Sequence, residues 1–158
     1  MHIFGICYNV FMKLVIQRVT EAQVKNLDTN NIVGKIGKGL FVLVGVGQED
    51  SKIDAENLAE KLIKLRIMSD KEDKMNLSVK DVGGEILVVS QFTLYADTSA
   101  GNRPSFIKAA KPELGREIYK HFISKLKESG LNIQTGNFGA YMQIITVLDG
   151  PVTILYEL

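Results

Sequence analysis

Residues 13–19 (K-L-V-I-Q-R-V) are rich in Val, Ile and Leu with polar residues interspersed, and apolar and polar residues alternate through residues 22–25. Such composition, and a period of two that sends successive side chains to opposite faces, both mark strands, so 13–19 and 22–26 are expected as strands. The cluster Asp28, Thr29, Asn30 and Asn31 supplies turn residues ahead of a further apolar stretch at 32–36, which predicts an antiparallel hairpin. Past Gly37-Lys38-Gly39, residues 40–46 are nearly all apolar, as expected of a central strand buried on both faces. At residues 51–67 the period becomes helical. Ile53, Leu58, Leu62 and Leu65 form the apolar stripe, Lys52, Glu56, Glu60 and Lys64 the solvated face, and Ser51 with Asp54 the N-terminal cap. Residues 69–74 then read as a charged loop.

Gly83-Gly84 leads into a strand expected over residues 85–94, followed by a loop at 96–105. A second helix is expected to open near Pro112, whose missing N–H is not needed in a first turn. Leu114, Ile118, Phe122 and Leu126 make its stripe and Gly130 its stop. Residues 133–157 read as two strands on either side of a turn at Asp149-Gly150-Pro151. With no internal repeat or linker, the pattern predicts one α/β domain. Its mixed, mostly antiparallel sheet is curved or barrel-like and flanked by two main helices.

The length of 158 residues suits a single domain able to bury a core without metal or disulfide support. Nineteen Lys and Arg against 18 Asp and Glu leave a net charge of +1, so any nucleic-acid contact must come from a local patch. Arg103, Lys108 and Lys111 are one candidate for phosphate, with a plain solvated face as the alternative. Cys7 is the only cysteine, which excludes an internal disulfide framework and fits a reducing, cytoplasmic setting. His2 and His121 share no metal-ligand spacing, and no metal or cofactor is expected. Residues 1–11 carry no Lys, Arg, Asp or Glu. The run lacks a positive n-region and is much shorter than the roughly 20 residues of a membrane span. It reads as an N-terminal extension, with Met12 opening the domain at 12–158, or else as an extra edge strand.

Candidate chemistry concentrates in residues 88–106, V-V-S-Q-F-T-L-Y-A-D-T-S-A-G-N-R-P-S-F. If the strand continues, Ser90 and Phe92 point one way and Gln91 and Thr93 the other. Nucleophilic catalysis with a histidine base is disfavoured, because His2 lies in the N-terminal run and His121 inside a helix, where a structural or surface role is expected. Gly34, Gly37 and Gly39 lack the Lys-Ser/Thr ending of a phosphate-binding loop, and Gly45 and Gly47 lack a third glycine, so all read as turn and packing residues. What remains is a polar surface of small hydroxyl, amide and backbone N–H groups. Such a surface can stabilise an oxyanion on an already reactive ester, or it can be structural.

Ordered motifs across the chain resemble the D-aminoacyl-tRNA deacylases, enzymes that remove D-amino acids mischarged onto tRNA. They are V-I-Q-R-V at 15–19, D-K-M-N-L at 73–77, S-Q-F-T-L at 90–94, A-D-T-x-x-G-x-R-P-S-F at 96–106, T-G-x-F-G-A-x-M at 135–142 and D-G-P-V-T at 149–153. The resemblance implies an active-site strand of Ser90, Gln91, Phe92 and Thr93. It also implies a pocket for the terminal adenosine at Phe138, Gly139, Ala140 and Met142. A homodimer is implied, in which a cis Gly150-Pro151 dipeptide, oriented by Arg18, enters the partner's site and excludes L side chains. Thr93 is then a positioning group, and the vicinal 2′-OH of the RNA activates water. Leakage towards glycyl-tRNA follows, since glycine has no side chain to reject. The implied partners are aminoacyl-tRNA and a second copy of the chain, with no membrane and no DNA. Leu148 stands where the family usually has Asn, and Tyr141 where it often has an acidic or small residue. A non-catalytic acceptor-end binding module and an L-selective proofreader remain as alternatives.

Overall fold

A computed structural model describes residues 11–157. The expected extension at 1–11 therefore lies outside the described residues, Phe11 excepted. In chain order the elements are β1 (Lys13–Asn26), β2 (Asn31–Ile36), β3 (Gly39–Gly45), α1 (Lys52–Lys64), β4 (Met68–Ser69), β5 (Met75–Leu77), β6 (Glu85–Ser90), α2 (Pro112–Lys127), β7 (Ile133–Thr135) and β8 (Met142–Glu157). The expected α/β class, mixed curved sheet and pair of helices are all present. No helix among the described residues is long and apolar enough to cross a membrane.

The sheet is organised around β1, one 14-residue strand where two separate strands were expected. Its first half pairs antiparallel with β3, its second half with β2, and its whole length with β8. β3, β6 and β7 then run parallel to one another. β2 folds back over this group so closely that a Cβ at Gly34 would lie 2.7 Å from the Thr135 carbonyl oxygen and 2.9 Å from Leu87. The sheet thereby nearly closes into a barrel.

Closure makes two cores. Leu14, Ile16, Val42, Val44, Ile86 and Val88 face α1 and α2, where Leu58, Leu62, Phe122 and Leu126 are fully buried. Val19, Ala22, Val24, Phe41, Leu87 and Val89 fill the concave side. Because β3 and β6 contribute to both, they read as continuous apolar runs. β1 switches allegiance midway. The register against β8 shifts on either side of Val19, so Leu14 and Ile16 meet the helices whereas Ala22 and Val24 meet the concave core.

Ser51 and Asp54 form the expected reciprocal cap of α1. That helix stops at Lys64, short of 67, because Leu65 has turned to extended backbone. Ile53, expected in the stripe, is 67% exposed, and Ala55 and Ala59 are buried in its place. A small β4–β5 ladder brackets the segment expected as a charged loop.

Gly39 marks the tightest approach in the sheet, since a Cβ there would sit 1.9 Å from the Glu85 carbonyl oxygen. Gly39→Ala should therefore lower the unfolding free energy by about 1–3 kcal/mol or more in denaturant melts, the usual cost of forcing atoms into a packed site. Gly37→Ala would meet only the Glu85 carboxylate, at 3.4 Å, and should be nearly neutral.

Candidate active site

The three parallel strands β3, β6 and β7 end at one rim, the edge where open α/β sheets commonly place their sites. β6 stops at Ser90, and the expected continuation to residue 94 is replaced by a 3₁₀ turn, Phe92–Tyr95. Packing accounts for the turn. Leu94 and Tyr95 close over Gly45, where a Cβ would meet each of them at 3.1 Å. Tyr95 is buried and donates its hydroxyl to the Phe11 carbonyl at 2.6 Å and to Asp50 at 3.4 Å. A straight strand could not deliver that side chain inward.

The turn redistributes the predicted site residues. Gln91 donates its backbone N–H to Val44 at 2.7 Å, which ties it to the end of β3. Its side-chain amide donates to the Thr93 hydroxyl, so these two form one polar unit. Phe92, now in the 3₁₀ turn, is 56% exposed and meets Phe106 edge-on at 5.1 Å. The loop bearing Phe106 is fastened at both ends. Asp97 and Ser105 exchange backbone bonds at 2.9 Å, and Ala110 donates to Val46 at 2.9 Å. Ser99 hydrogen bonds, with Lys108 beside them, hold the Asp97 carboxyl down at about 2. Lys108 is therefore engaged by Asp97, at 3.4 Å, which weakens the phosphate patch read from Arg103, Lys108 and Lys111.

Phe138 stands on the same rim. After β7, the Gly136 N–H donates to Val88 of β6 at 3.1 Å. A Cβ at Gly115 would lie 3.6 Å from the Phe138 ring and 3.9 Å from Ala110. Residues 137–140 turn tightly, with Ala140 donating to Asn137 at 3.2 Å and Gly139 at a φ of +77° that favours glycine. Met142 lies beneath, its sulfur 2.7 Å from where a Gly136 Cβ would be. Arg116 covers one face of the Phe138 ring at 4.7 Å, and Tyr119 lies at 5.7 Å. Arg116 was not singled out by sequence, because an isolated arginine on a helix carries no local signal.

Ser90, Gln91, Thr93 and the Phe138 turn are thus brought together, but Gly150 and Pro151 are not. The expected turn between two strands is absent, and β8 runs unbroken through both residues. Four of its residues, Asp149 to Val152, stand opposite the single residue Arg18, between the pairs Gln17–Thr153 and Val19–Leu148. This bulge leaves Gly150 and Pro151 exposed, with a cis peptide bond between them. Arg18 pairs with Leu40 and Ser90 with Val44. The two groups are therefore about 13 Å apart along β3, at roughly 3.3 Å per residue.

Arg18 is buried, not a strand-edge surface charge. Its guanidinium donates to the carbonyls of Asp149 at 3.1 Å and Ile67 at 2.9 Å and to Ser69 at 3.3 Å, and it pairs with the Asp149 carboxylate at 3.2 Å. A Cβ at Gly150, whose φ is +124°, would lie 3.3 Å from the same guanidinium. Leu148 is exposed beside the bulge, where no Asn side chain can donate. His121 is engaged elsewhere, 2.7 Å from Glu56 across the helix pair. No carboxylate or imidazole hydrogen bonds to Ser90 or Thr93 among the described residues.

Under the 3₁₀ turn, Asp50 accepts from the backbone of Met12 at 2.8 Å and Gly47 at 2.5 Å as well as from Tyr95. Burial nonetheless pushes its carboxyl above the ordinary 3.8, and the backbone bonds only partly oppose this. Burial likewise raises the Tyr95 phenol, with the Asp50 charge adding to it.

Chain similarity gives the geometry a context. A sequence profile described as D-Tyr-tRNA(Tyr) deacylase matches residues 15–157. A protein of Thermotoga petrophila named D-aminoacyl-tRNA deacylase is 52% identical over 146 residues, covering 92% of this chain and 97% of its own. One of the same name from Flavobacterium psychrophilum is 54% identical over 147 residues, with the same coverage. Among solved structures, a c-Myc DNA Unwinding Element Binding Protein aligns with TM-score 0.85 and 39% identity, over 92% of this chain and 98% of that one. A probable eukaryotic D-amino acid tRNA deacylase aligns with TM-score 0.82 over 93% and 99%, and at 14% identity it speaks for the fold alone.

Two substitutions test the geometry. Arg18→Ala should cost about 1.5–3 kcal/mol in denaturant melts, the range for a charged hydrogen-bonding group. Asp50→Asn tests the raised carboxyl. A folded-state pKa above 3.8 gives stability that is full below 3.8 and lost as pH rises through the folded value. The stability of the parent minus that of Asp50→Asn should thus fall with rising pH and then level off.

Proposed function

The chain belongs to the D-Tyr-tRNA(Tyr) deacylase family, whose members are hydrolases of the aminoacyl-tRNA ester, and from that premise we propose a catalytic cycle on D-aminoacyl-tRNA in the cytoplasm. The terminal adenosine lies against Phe138, Gly139, Ala140 and Met142. The ester carbonyl meets the polar rim of Ser90, Gln91 and Thr93, with Phe92 framing the entrance. A water molecule attacks that carbonyl, the vicinal 2′-OH of the RNA assists the proton transfer, and free D-amino acid and tRNA leave. The observation that carries the reading is the rim itself, where hydroxyl, amide and backbone groups converge with no acid or base bonded to them among the described residues. Such a surface can stabilise charge developing on a reactive ester, whereas a stable amide would demand more.

Gly150 and Pro151 act in trans in this reading. About 13 Å of strand separates them from the rim of their own chain, yet they are exposed and braced by Arg18. β8 also exposes Ile145, Val147, Leu148 and Leu155, an apolar edge suited to a second copy of the chain. In the homodimer, the Gly150 and Pro151 carbonyls crowd the substrate Cα from the partner side. An L side chain is rejected, a D side chain is directed away, and glycine passes because it has nothing to reject.

Release of amino acid from D-tyrosyl-tRNA and L-tyrosyl-tRNA separates the readings. D-selective release is expected, and it should persist after chelator treatment. Release from neither substrate would favour a binding module, and L-selective release would sink the proposal. Gln91→Ala should lower the rate on the order of a hundredfold or more, the usual cost of one donor at a developing oxyanion. Pro151→Ala should relax the discrimination between D-tyrosyl-tRNA and L-tyrosyl-tRNA, and mixing in excess Gln91→Ala chains should restore it if each site is shared between subunits.

A further inference from the structure

Beside the rim, α2 and the end of β7 enclose an open cleft of about 440 Å³. Its walls carry Arg116, Lys120 and Lys127 from one face of α2, and Tyr119, Asn137 and Phe138. Spacings of four and seven residues keep the three cations on one side of the helix. Over eleven residues they span about 16 Å at 1.5 Å per residue. What sets them apart is their clustering along one wall, since other surface cations such as Lys38 and Lys71 also lack an ion pair among the described residues. Lys52, Lys108 and Lys125 lie within 4 Å of carboxylates, whereas Arg116, Lys120 and Lys127 form no ion pair among the described residues. No carboxylate lines the cleft, and the nearest on the same helical face is Glu113, one turn before Arg116. Charges left without partners along a concave wall are a site for an anion of comparable length.

Position selects the anion. The row begins at Arg116, which stacks on Phe138, and leads away from the rim along α2. A polynucleotide whose last base lies against the Phe138 turn must lead its backbone outward from that point. We propose that the α2 cleft is a phosphate track, in which Arg116, Lys120 and Lys127 bind the backbone of the acceptor strand next to its terminal nucleotide. This rests on the functional reading above and adds the docking surface for the nucleic acid. The contacts are to phosphate, so they fix register without reading sequence. Arg116 joins the two parts by touching Phe138 with one face while its donors remain open to the cleft.

The test separates the track from the catalytic rim. The double substitution Lys120→Gln, Lys127→Gln alters two exposed side chains and should leave the thermal melt unchanged. Hydrolysis of a D-aminoacyl-adenosine, which has no phosphate, should proceed at the parental kcat/KM. Affinity for uncharged tRNA should fall, and the slope of log K against log salt should shrink by about 1.4–1.8, the loss expected for two phosphate contacts. Lys71→Gln, Lys80→Gln has the same charge change away from the cleft and should behave as the parent. An unchanged salt slope in the cleft variant, or an equal loss in the remote one, would overturn the track. So would displacement of tRNA by inorganic phosphate as effective as by an acceptor-stem RNA, because the cleft would then hold a free anion. Binding of uncharged tRNA reads the track independently of hydrolysis. If the parent hydrolyses neither substrate and the slope still changes, the functional reading falls and the track stands.

Discussion

One buried guanidinium joins the parts of this molecule that must be held in register. Arg18 sits where β1 changes from facing the helices to lining the concave core, and it bonds at once to the β8 bulge and to the chain leaving α1. A buried cation is costly unless its donors are satisfied. Three acceptors and a carboxylate satisfy this one, and their positions are constrained in return. The bulge that exposes Gly150 and Pro151 is therefore a braced feature of the sheet, unlike a loose excursion of an edge strand.

The opposite rim depends on a different device. Parallel strands bring Gly45, Ser90 and Thr135 to one edge, and Tyr95 pins the following turn down onto Asp50. A carboxyl held among backbone donors at the base of that turn couples the start of β1, the end of β3 and the 3₁₀ turn. The polar groups above it need no charge of their own. They are positioned by backbone that is packed from below, as preorganised electrostatic stabilisation requires.

The two devices face different ways, and this gives the proposed assembly its logic. Rim and bulge are separated along the sheet, so in the proposed homodimer each chain offers its bulge to the partner's rim and receives the partner's bulge at its own. The cation row on α2 starts beside Phe138 at the rim and runs along the helix.

Much of this was legible from local pattern. Turn residues and apolar runs placed β2 and β3, helical periodicity placed both helices, the Ser51–Asp54 cap was read from spacing, and the ordered motifs carried the family. The failures share a cause. The apolar run in residues 85–94 predicted a strand continuing to Leu94, but contact with Gly45 and burial of Tyr95 bent the chain into a turn after Ser90. Asp149-Gly150-Pro151 has the composition of a turn, yet hydrogen bonds to β1 on both sides hold it in one strand as a bulge. Arg18 could be read as surface or anchor until its acceptors, 49 to 131 residues away, were in place. The sequence by itself determined which segments are strands or helices and which residue types could do chemistry, because propensity and periodicity act between near neighbours. Only the tertiary structure decided which polar groups meet and which cations remain unpaired, because those depend on contacts between segments far apart in the chain.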